Sequence, residues 1–226
     1  MSDKLDVVTI DGPSGVGKST VSRKLAALLN FTYLDTGAMY RAVALKCKKE
    51  HADIRDEEAV AAVLENLDLQ LLPAVSEHED VRVILDGEDV SGKIRTEEIS
   101  MLASAVSALP SVRRHLTKMQ QEFGIAGKVV AEGRDTGTVV FPTAAWKFYL
   151  DAAPEERAKR RIHQLRGRGE SVDEAEILTK IIQRDRDDSE RSLAPLAAAQ
   201  DAIRVDSTRF SADEVIKSML EVIQGK

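Results

Sequence analysis

The chain has 226 residues, which suits one α/β domain with insertions and leaves little room for two independent domains. A formal net charge of −6 and an aromatic content of 4% disfavour a nucleic-acid partner, since such proteins usually present basic surfaces and stacking side chains. The amino terminus lacks a basic stretch followed by an apolar one, and no run approaches ~18 apolar residues, so we expect a cytoplasmic protein without a membrane partner.

A glycine-rich stretch follows the first apolar run, residues 7–10. It matches the pattern G-x-x-x-x-G-K-[ST], and apolar residues with helical spacing continue after it. Inward-facing backbone N–H groups and a helix N-terminus make such a turn a polyphosphate site, although a simple turn between a strand and a helix is the alternative. We expect the following residues to bind ATP: Gly12, Pro13, Ser14, Gly15, Val16, Gly17, Lys18, Ser19 and Thr20.

Two side chains of this stretch have specific expected roles. Lys18 would reach the β- and γ-phosphates of ATP, because its position follows the last glycine of the pattern. The hydroxyl of Ser19 would hold Mg²⁺. The sequence therefore predicts ATP and Mg²⁺ as the bound groups.

The segments around this stretch predict a parallel sheet. A short apolar segment at 31–35 predicts a second strand, and residues 38–49 have the periodicity of a helix. A strand, a helix and a second strand in this order form a βαβ unit, whose strands are parallel. Further strands are expected at 128–131, 147–150 and 202–205, each beside a helical segment long enough for a crossover.

The stretch 67–90 departs from this alternation of strands and helices. Leu67, Leu69 and Leu71 alternate with polar residues, and Asp86-Gly87 follows a second apolar run. An Asp-Gly pair between apolar runs is a strong hairpin signal. We therefore expect an antiparallel insertion between helices at 56–66 and 96–107.

Three later segments have helical periodicity, at 110–123, 154–166 and 211–223. The second of these is rich in arginine, and Gly167 and Gly169 follow it. Arg157 and Arg161 share one of its faces. An arginine-rich helix bounded by glycines suits a lid over ATP, because phosphoryl transfer requires neutralised charge and excluded water.

Arginines also follow two of the predicted strands. Arg41 comes after the strand and turn at 31–37, and Arg134 comes after the strand at 129–131. Because the carboxyl ends of parallel strands meet at one edge of a sheet, both should lie near the bound phosphates. We expect both to bind anions, and surface ion pairs are the alternative.

A third arginine-rich group lies close to residue 190. Arg184, Asp188 and Arg191 fall at positions i, i+4 and i+7 of a helical segment, so they share one face. Spacing alone favours a solvated, self-paired helix end, and an anion-binding face is the alternative.

Two classes of phosphate-loop protein are disfavoured. Guanine-specific GTPases need an N-K-x-D element, and neither Asn30 nor Asn66 is followed by lysine. Larger ATPases carry a long apolar strand that ends in Asp-Glu, and no segment of this chain matches it. Small kinases and regulatory nucleotide-binding modules remain.

Five short motifs occur together along the chain: IDGPSG (10–15), DTGAMYR (35–41), GEDVS with IR (87–91 and 94–95), GRD with GTVVFP (133–135 and 137–142), and RD with APL (184–185 and 194–196). With these motifs the whole chain resembles the bacterial cytidylate kinases, of the nucleoside monophosphate (NMP) kinase class. The resemblance implies that the γ-phosphoryl group of MgATP is transferred to CMP or dCMP. It also implies a monomer whose partners are these small molecules.

The resemblance implies a single P-loop kinase domain over residues 1–226. This is an α/β fold with a parallel sheet core flanked by helices. An antiparallel hairpin insertion would lie in an NMP-binding region at about 36–127, and a short helical lid at about 154–170.

The same resemblance assigns roles to individual residues. The residues that it implies in CMP binding are Thr36, Arg41, Ser104, Arg113, Arg134, Asp135, Arg184, Asp188 and Arg191. Of these, Arg41, Arg134 and Arg191 would bind the acceptor phosphate. The cytosine would meet Ser104, Arg113 and Asp135, and the sugar would meet Arg184 and Asp188. The residues implied in catalysis are Lys18, Arg134, Arg157 and Arg161.

Two other functions remain possible at this stage. The first is a related small-molecule kinase that acts on another nucleotide or on shikimate. The second is a nucleotide-binding module that changes conformation without phosphorylating anything. The arginine clusters beyond the phosphate loop argue against the second, because a sensor of ATP alone needs no second anion site.

Overall fold

The helices and strands alternate along the chain in a computed structural model, which describes residues 4–73, 80–167, 169 and 171–225. In chain order they are β1 (Leu5–Asp11), α1 (Lys18–Leu29), β2 (Thr32–Asp35), α2 (Thr36–Lys49), α3 (Glu57–Glu65), β3 (Leu69–Leu72), β4 (Arg82–Leu85), β5 (Glu88–Asp89), α4 (Glu97–Val106), α5 (Pro110–Gly124), β6 (Val129–Gly133), β7 (Ala144–Asp151), α6 (Pro154–Arg166), α7 (Glu174–Glu190), β8 (Ile203–Asp206) and α8 (Ala212–Ile223). A π-helical turn at Thr136–Val140 follows β6.

A five-stranded parallel sheet lies at the centre, in the strand order β2-β6-β1-β7-β8, which confirms the predicted parallel core. The inner strands are runs of apolar residues because helices cover both faces of the sheet. In β1, Val7 packs in one hydrophobic core, and Val8 and Ile10 pack in the other. Since β1, β2 and β6 are adjacent and parallel, their carboxyl ends meet at one edge.

The two hydrophobic cores lie on opposite faces of this sheet. One face packs against α1 and α8 through side chains such as Leu25 and Met219, which are fully buried. The other packs against α2 to α5 and the insertion. The helix α8 begins at a capping box, in which Ser211 and Glu214 satisfy each other's backbone N–H groups.

The insertion is a three-stranded antiparallel sheet in the order β3-β4-β5, which confirms the predicted hairpin. Its tight turn places Asp86 at φ 51° and Gly87 at φ 78°, the left-handed region that an Asp-Gly pair tolerates. Val83 and Leu85 are fully buried and attach the insertion to the core on the side of α2. Residues 74–79 of the predicted insertion lie outside the described residues.

Helix α2 begins earlier than the sequence predicted, whereas α6 has the predicted bounds. Helix α2 begins at Thr36 rather than at 38, because the carboxylate of Asp35 caps it by accepting the backbone N–H of Ala38 at 2.9 Å. Helix α6 covers most of the predicted lid, and Arg168 and Glu170 of that lid lie outside the described residues. Among the described helices, none combines the length and apolar character that a membrane span needs.

Gly12, where the chain leaves β1, allows the close approach of β1 and β7. Its φ is 153°, and a Cβ atom there would lie 2.0 Å from the carbonyl oxygen of Leu150. We expect Gly12→Ala to lower the free energy of unfolding by about 3 kcal/mol, because neither backbone can move without disturbing the sheet. Urea denaturation would measure this change.

A matched control is Gly92→Ala, since a Cβ atom at Gly92 would meet nothing within 4 Å. We expect it to change stability by less than about 0.5 kcal/mol. If Gly12→Ala unfolds at the same urea concentration as the control, the close contact with β7 does not constrain the loop.

Candidate active site

The predicted site residues converge on a cleft at the carboxyl edge of the sheet. The cleft has a volume of about 310 Å³ and lies between the phosphate loop (residues 12–17), the start of α2, the end of β6, and the helices α4, α6 and α7. An adjoining cavity of about 480 Å³ between α4 and α7 extends it outward. The predicted residues that line the cleft are Ser14, Gly15, Lys18, Ser19, Thr36, Arg41, Ser104, Arg134, Asp135, Arg161, Arg184, Asp188 and Arg191.

Two glycines allow the phosphate loop to turn before α1 begins at Lys18. Gly15 and Gly17 have φ of 77° and 98°, which other residues rarely adopt. Lys18 is buried, and its Nζ donates to the carbonyl oxygens of Gly12 at 2.8 Å and Pro13 at 2.7 Å. Burial, together with the charge of Arg134, lowers the pKa of Lys18 to about 7. The lysine therefore lies folded back on its own loop, at the point where phosphates would bind.

Binding of ADP is expected to be accompanied by proton uptake at about pH 8. At this pH the lowered pKa leaves Lys18 mostly neutral, and a diphosphate beside it raises that pKa and restores the positive charge. Calorimetric titration at this pH should therefore give a less exothermic binding enthalpy in Tris, whose ionisation absorbs more heat, than in HEPES. The variant Lys18→Met should remove the difference. Equal enthalpies for the unmodified protein in both buffers would contradict the prediction.

The outer side of the phosphate loop is held by helix α6. Arg157 is buried, and its guanidinium donates to the carbonyl oxygens of Ala152 at 2.9 Å and Ser14 at 3.1 Å. The third nitrogen, Nη2, pairs with Asp185 of α7 at 2.6 Å. Arg157 thus ties the loop to α6 and α7, whereas Arg161, one turn later, lines the cleft.

A network of buried charges forms the floor of the cleft beside α5. Arg113 pairs with Asp135 and donates to the carbonyl oxygen of Ser107 at 2.9 Å. Arg191 lies 3.6 Å from the other oxygen of Asp135. The guanidinium of Arg113 also lies over the ring of Tyr40, 5.7 Å from its centre. These contacts hold one carboxylate and one ring at the bottom of the cleft, which suits recognition of a flat polar base.

Three arginines, Arg41, Arg134 and Arg184, line the wall formed by α2, the end of β6 and α7. Arg134 pairs with Asp188 at 2.7 Å, and Arg41 pairs with Asp35 at 2.9 Å. Burial and the charge of Arg134 lower the pKa of Arg184 to about 10. The Nε atoms of Arg41 and Arg184 are buried and lack a hydrogen-bond partner among the described residues. Buried donors without acceptors are costly, so this wall is suited to an anion.

Thr36 lies at the same wall, but its hydroxyl is already engaged. It donates to the carbonyl oxygen of Glu132 at 2.7 Å. A hydroxyl oxygen that donates this hydrogen bond can still accept one from a ligand or a neighbouring donor. Its predicted contact with the acceptor nucleotide stays a prediction.

Glu132 lines the cleft beside Ser19 and was not predicted from the sequence. It is buried at the end of β6, and one of its oxygens accepts the hydroxyl of Tyr33. The other, Oε2, is buried without a hydrogen-bond partner among the described residues. Burial, and then the negative charge of Asp35, raise the pKa of Glu132. An apolar strand that ends in an acid, residues 129–132, is the signal that could have found it.

The family model described as cytidylate kinase matches residues 8–225. The chain belongs to the cytidylate kinase family. A cytidylate kinase of Pasteurella multocida is 49% identical over 224 residues, which are 99% of this chain and 97% of that relative. One from Carboxydothermus hydrogenoformans is 44% identical over 219 residues, 97% of each chain. These matches confirm the resemblance seen in the sequence motifs.

A solved structure of an uncharacterized protein from Eubacterium ventriosum shares the fold of this cytidylate kinase family member. The two chains are 12% identical with a TM-score of 0.52, and the likeness covers 97% of this chain and 98% of the other. At such low identity the likeness shows the fold alone.

In this member of the cytidylate kinase family, one prediction is wrong. The spacing of Arg184, Asp188 and Arg191 favoured a solvated end of α7. Asp188 is buried against Arg134, and Arg184 and Arg191 face the same cleft. The reason is tertiary, because Arg134, directly after β6, pairs with Asp188. The guanidinium of Arg157 is fully engaged with protein groups behind the phosphate loop. Its predicted role in catalysis is not tested by these contacts and stays a prediction.

Proposed function

We propose that this member of the cytidylate kinase family transfers the γ-phosphoryl group of ATP, bound with Mg²⁺, to CMP or dCMP, and so forms CDP or dCDP and ADP. The observation that carries the proposal is the presence of two facing anion sites in one cleft. The phosphate loop with Lys18 lies on one side, and the arginine wall, with buried Nε atoms that lack a partner among the described residues, lies on the other. A nucleoside triphosphate and a nucleoside monophosphate placed end to end would satisfy both sides. The monomeric state and the cytoplasmic location stay predictions from the sequence.

The residues around Ser19 fit a divalent cation bound with ATP. The buried carboxylate of Glu132 lines the cleft with the Ser19 hydroxyl, and its Oε2 lacks a partner among the described residues. Oxygen ligands of this kind, direct or through water, are those that Mg²⁺ prefers. Mg²⁺ would neutralise negative charge on the phosphates of ATP.

In the proposed mechanism, the side chains of this chain bind, orient and neutralise the two reactants. Lys18, charged when ATP is bound, would stabilise negative charge on the transferred group. Arg41, Arg134 and Arg191 would hold the acceptor phosphate in line with it, and Arg161 would add charge from α6. No strong general base is needed, because the attacking phosphate oxygen is already an anion.

Initial rates of ADP formation with CMP, dCMP, UMP, AMP and shikimate, at saturating ATP, test this proposal. We expect kcat/KM to be highest for CMP or dCMP. A higher value for AMP, UMP or shikimate would indicate another small-molecule kinase. If no acceptor stimulates ADP formation, the protein is a nucleotide-binding module and the proposal is wrong.

A further inference from the structure

The carboxylate of Asp11 joins the phosphate loop to the segment that carries Arg134 and Asp135. Asp11 is the last residue of β1, directly before Gly12, and it is 3% exposed. Its Oδ1 accepts the backbone N–H of Thr136 at 2.9 Å and the hydroxyl of Thr136 at 2.8 Å. Its Oδ2 accepts the backbone N–H of Gly137 at 2.8 Å. One buried carboxylate thus anchors the start of the π-helical turn that follows β6.

Two glycines keep this segment close to Asp11. A Cβ atom at Gly137 would lie 2.8 Å from the hydroxyl oxygen of Thr9, and one at Gly133 would lie 2.7 Å from the methyl carbon of Thr136. The segment is therefore packed against β1 without room to shift toward it. Asp135, which lies between these glycines, takes its position from the same contacts and meets Arg113 on the opposite side.

The hydrogen bonds of Asp11 also distinguish it from Glu132, the carboxylate beside Ser19. Both of its oxygens already accept hydrogen bonds from protein groups, whereas Glu132 Oε2 accepts none from the described residues. Burial raises the pKa of Asp11, although the N–H groups of Gly137 and Thr136 oppose this. The side chain is directed at Thr136 and at the backbone of residues 136–137.

We infer that Asp11 is a positioning residue for acceptor recognition, which places Asp135 and Arg134 at a set distance from the phosphate loop by holding Thr136 and Gly137. Asp135, which would select the acceptor, and the phosphate loop, which would bind the donor, are then held at a fixed distance from each other. This inference rests on the proposed function, in which Asp135 contacts the cytosine. It adds a residue that touches neither nucleotide.

Two variants and a matched control test the inference. Asp11→Asn keeps an oxygen for Thr136 but turns an NH₂ group toward the N–H of Gly137, so two donors face each other. Thr136→Val removes only the hydroxyl that donates to Asp11 and serves if Asp11→Asn does not fold. The control is Asp6→Asn, an exposed position toward the amino end of the same strand.

The readout is the ratio of kcat/KM for CMP to that for UMP, with ADP affinity and the Mg²⁺ requirement measured alongside. We expect the ratio to fall about tenfold in Asp11→Asn and about threefold in Thr136→Val, because a shifted Asp135 no longer favours cytosine. The dissociation constant for ADP and the Mg²⁺ requirement should stay within about twofold of the unmodified protein, because the loop amides are retained. Backbone amides of residues 136 and 137 should exchange hydrogen faster in both variants.

Three results would overturn the inference. These are an unchanged CMP to UMP ratio, an equal loss of affinity for ADP and CMP, or a raised Mg²⁺ requirement, which would assign Asp11 to the cation. If the unmodified protein itself does not prefer CMP, the proposed function is wrong. In that case unchanged hydrogen exchange at residues 136 and 137 in Asp11→Asn would still overturn the positioning role, and faster exchange would support it.

Discussion

Replacing Lys18 with alanine is expected to lower kcat about a thousandfold while the protein stays folded. Lys18 begins α1 and is the cationic side chain at the inner end of the phosphate loop, where it lines the cleft beside Ser19. Its present hydrogen-bond partners are the carbonyl oxygens of Gly12 and Pro13, so its removal breaks no side-chain ion pair among the described residues. The loss should fall on kcat, because the charge that Lys18 would neutralise is greatest in the transition state.

Lys24→Ala is the matched control for this variant. Lys24 lies on the same helix but pairs with Asp213 at the surface, 2.8 Å away. We expect it to leave kcat within about twofold of the unmodified protein, because surface ion pairs contribute little. Thermal unfolding of both variants should lie close to that of the unmodified chain. Turnover of Lys18→Ala within a few-fold of normal would remove Lys18 from the mechanism.

Replacing Asp135 with alanine is expected to reduce the preference for CMP over UMP by about 10- to 100-fold. Cytosine presents an amino group at C4 and an unprotonated N3, so a carboxylate can accept from the amine while Arg113 or Ser104 donates to N3 or O2. Uracil presents an acceptor at C4, which would face the carboxylate. Asp135 is buried at the floor of the cleft and is held there by Arg113, as that selection requires.

The measurement for Asp135→Ala is the ratio of kcat/KM for the two nucleotides in competition. Both values should also fall, because Arg113 and Arg191 lose the buried carboxylate that lies between them. Asp213→Ala, which removes an exposed carboxylate from α8, should leave the ratio unchanged. If Asp135→Ala keeps the preference of the unmodified protein, Asp135 does not contact the base.

Features that depend on neighbours in the sequence were predicted well. The strand, glycine turn and helix at residues 5–29 follow from a β-branched run, the pattern G-x-x-x-x-G-K-[ST] and helical spacing, all of which are local. The hairpin at Asp86-Gly87 was predicted for the same reason, since its turn needs residues that accept positive φ. The parallel core followed because helical segments separate its strands, and only parallel strands need such crossovers.

Features that depend on charge pairing between distant segments could not be predicted from the spacing of residues along the sequence. Asp188 looked like part of a solvated helix end, and its burial depends on Arg134, which lies 54 positions earlier. Arg157 and Arg161 share a helix face in the sequence, yet one lies behind the phosphate loop and the other lines the cleft. Their difference arises from the packing of α6 on the loop and on α7.

The sequence by itself determined the class of chemistry, because the phosphate loop, the arginines after strand ends and the five motifs are local patterns whose meaning does not depend on distant residues. Only the tertiary structure decided which charged groups face the cleft and which hold it together. Asp11 meets Thr136 across 125 positions, and Glu132 lies beside Ser19 only because β6 is adjacent to β1. Burial and charge pairing are properties of the packed chain, so the division between binding and positioning residues appears only there.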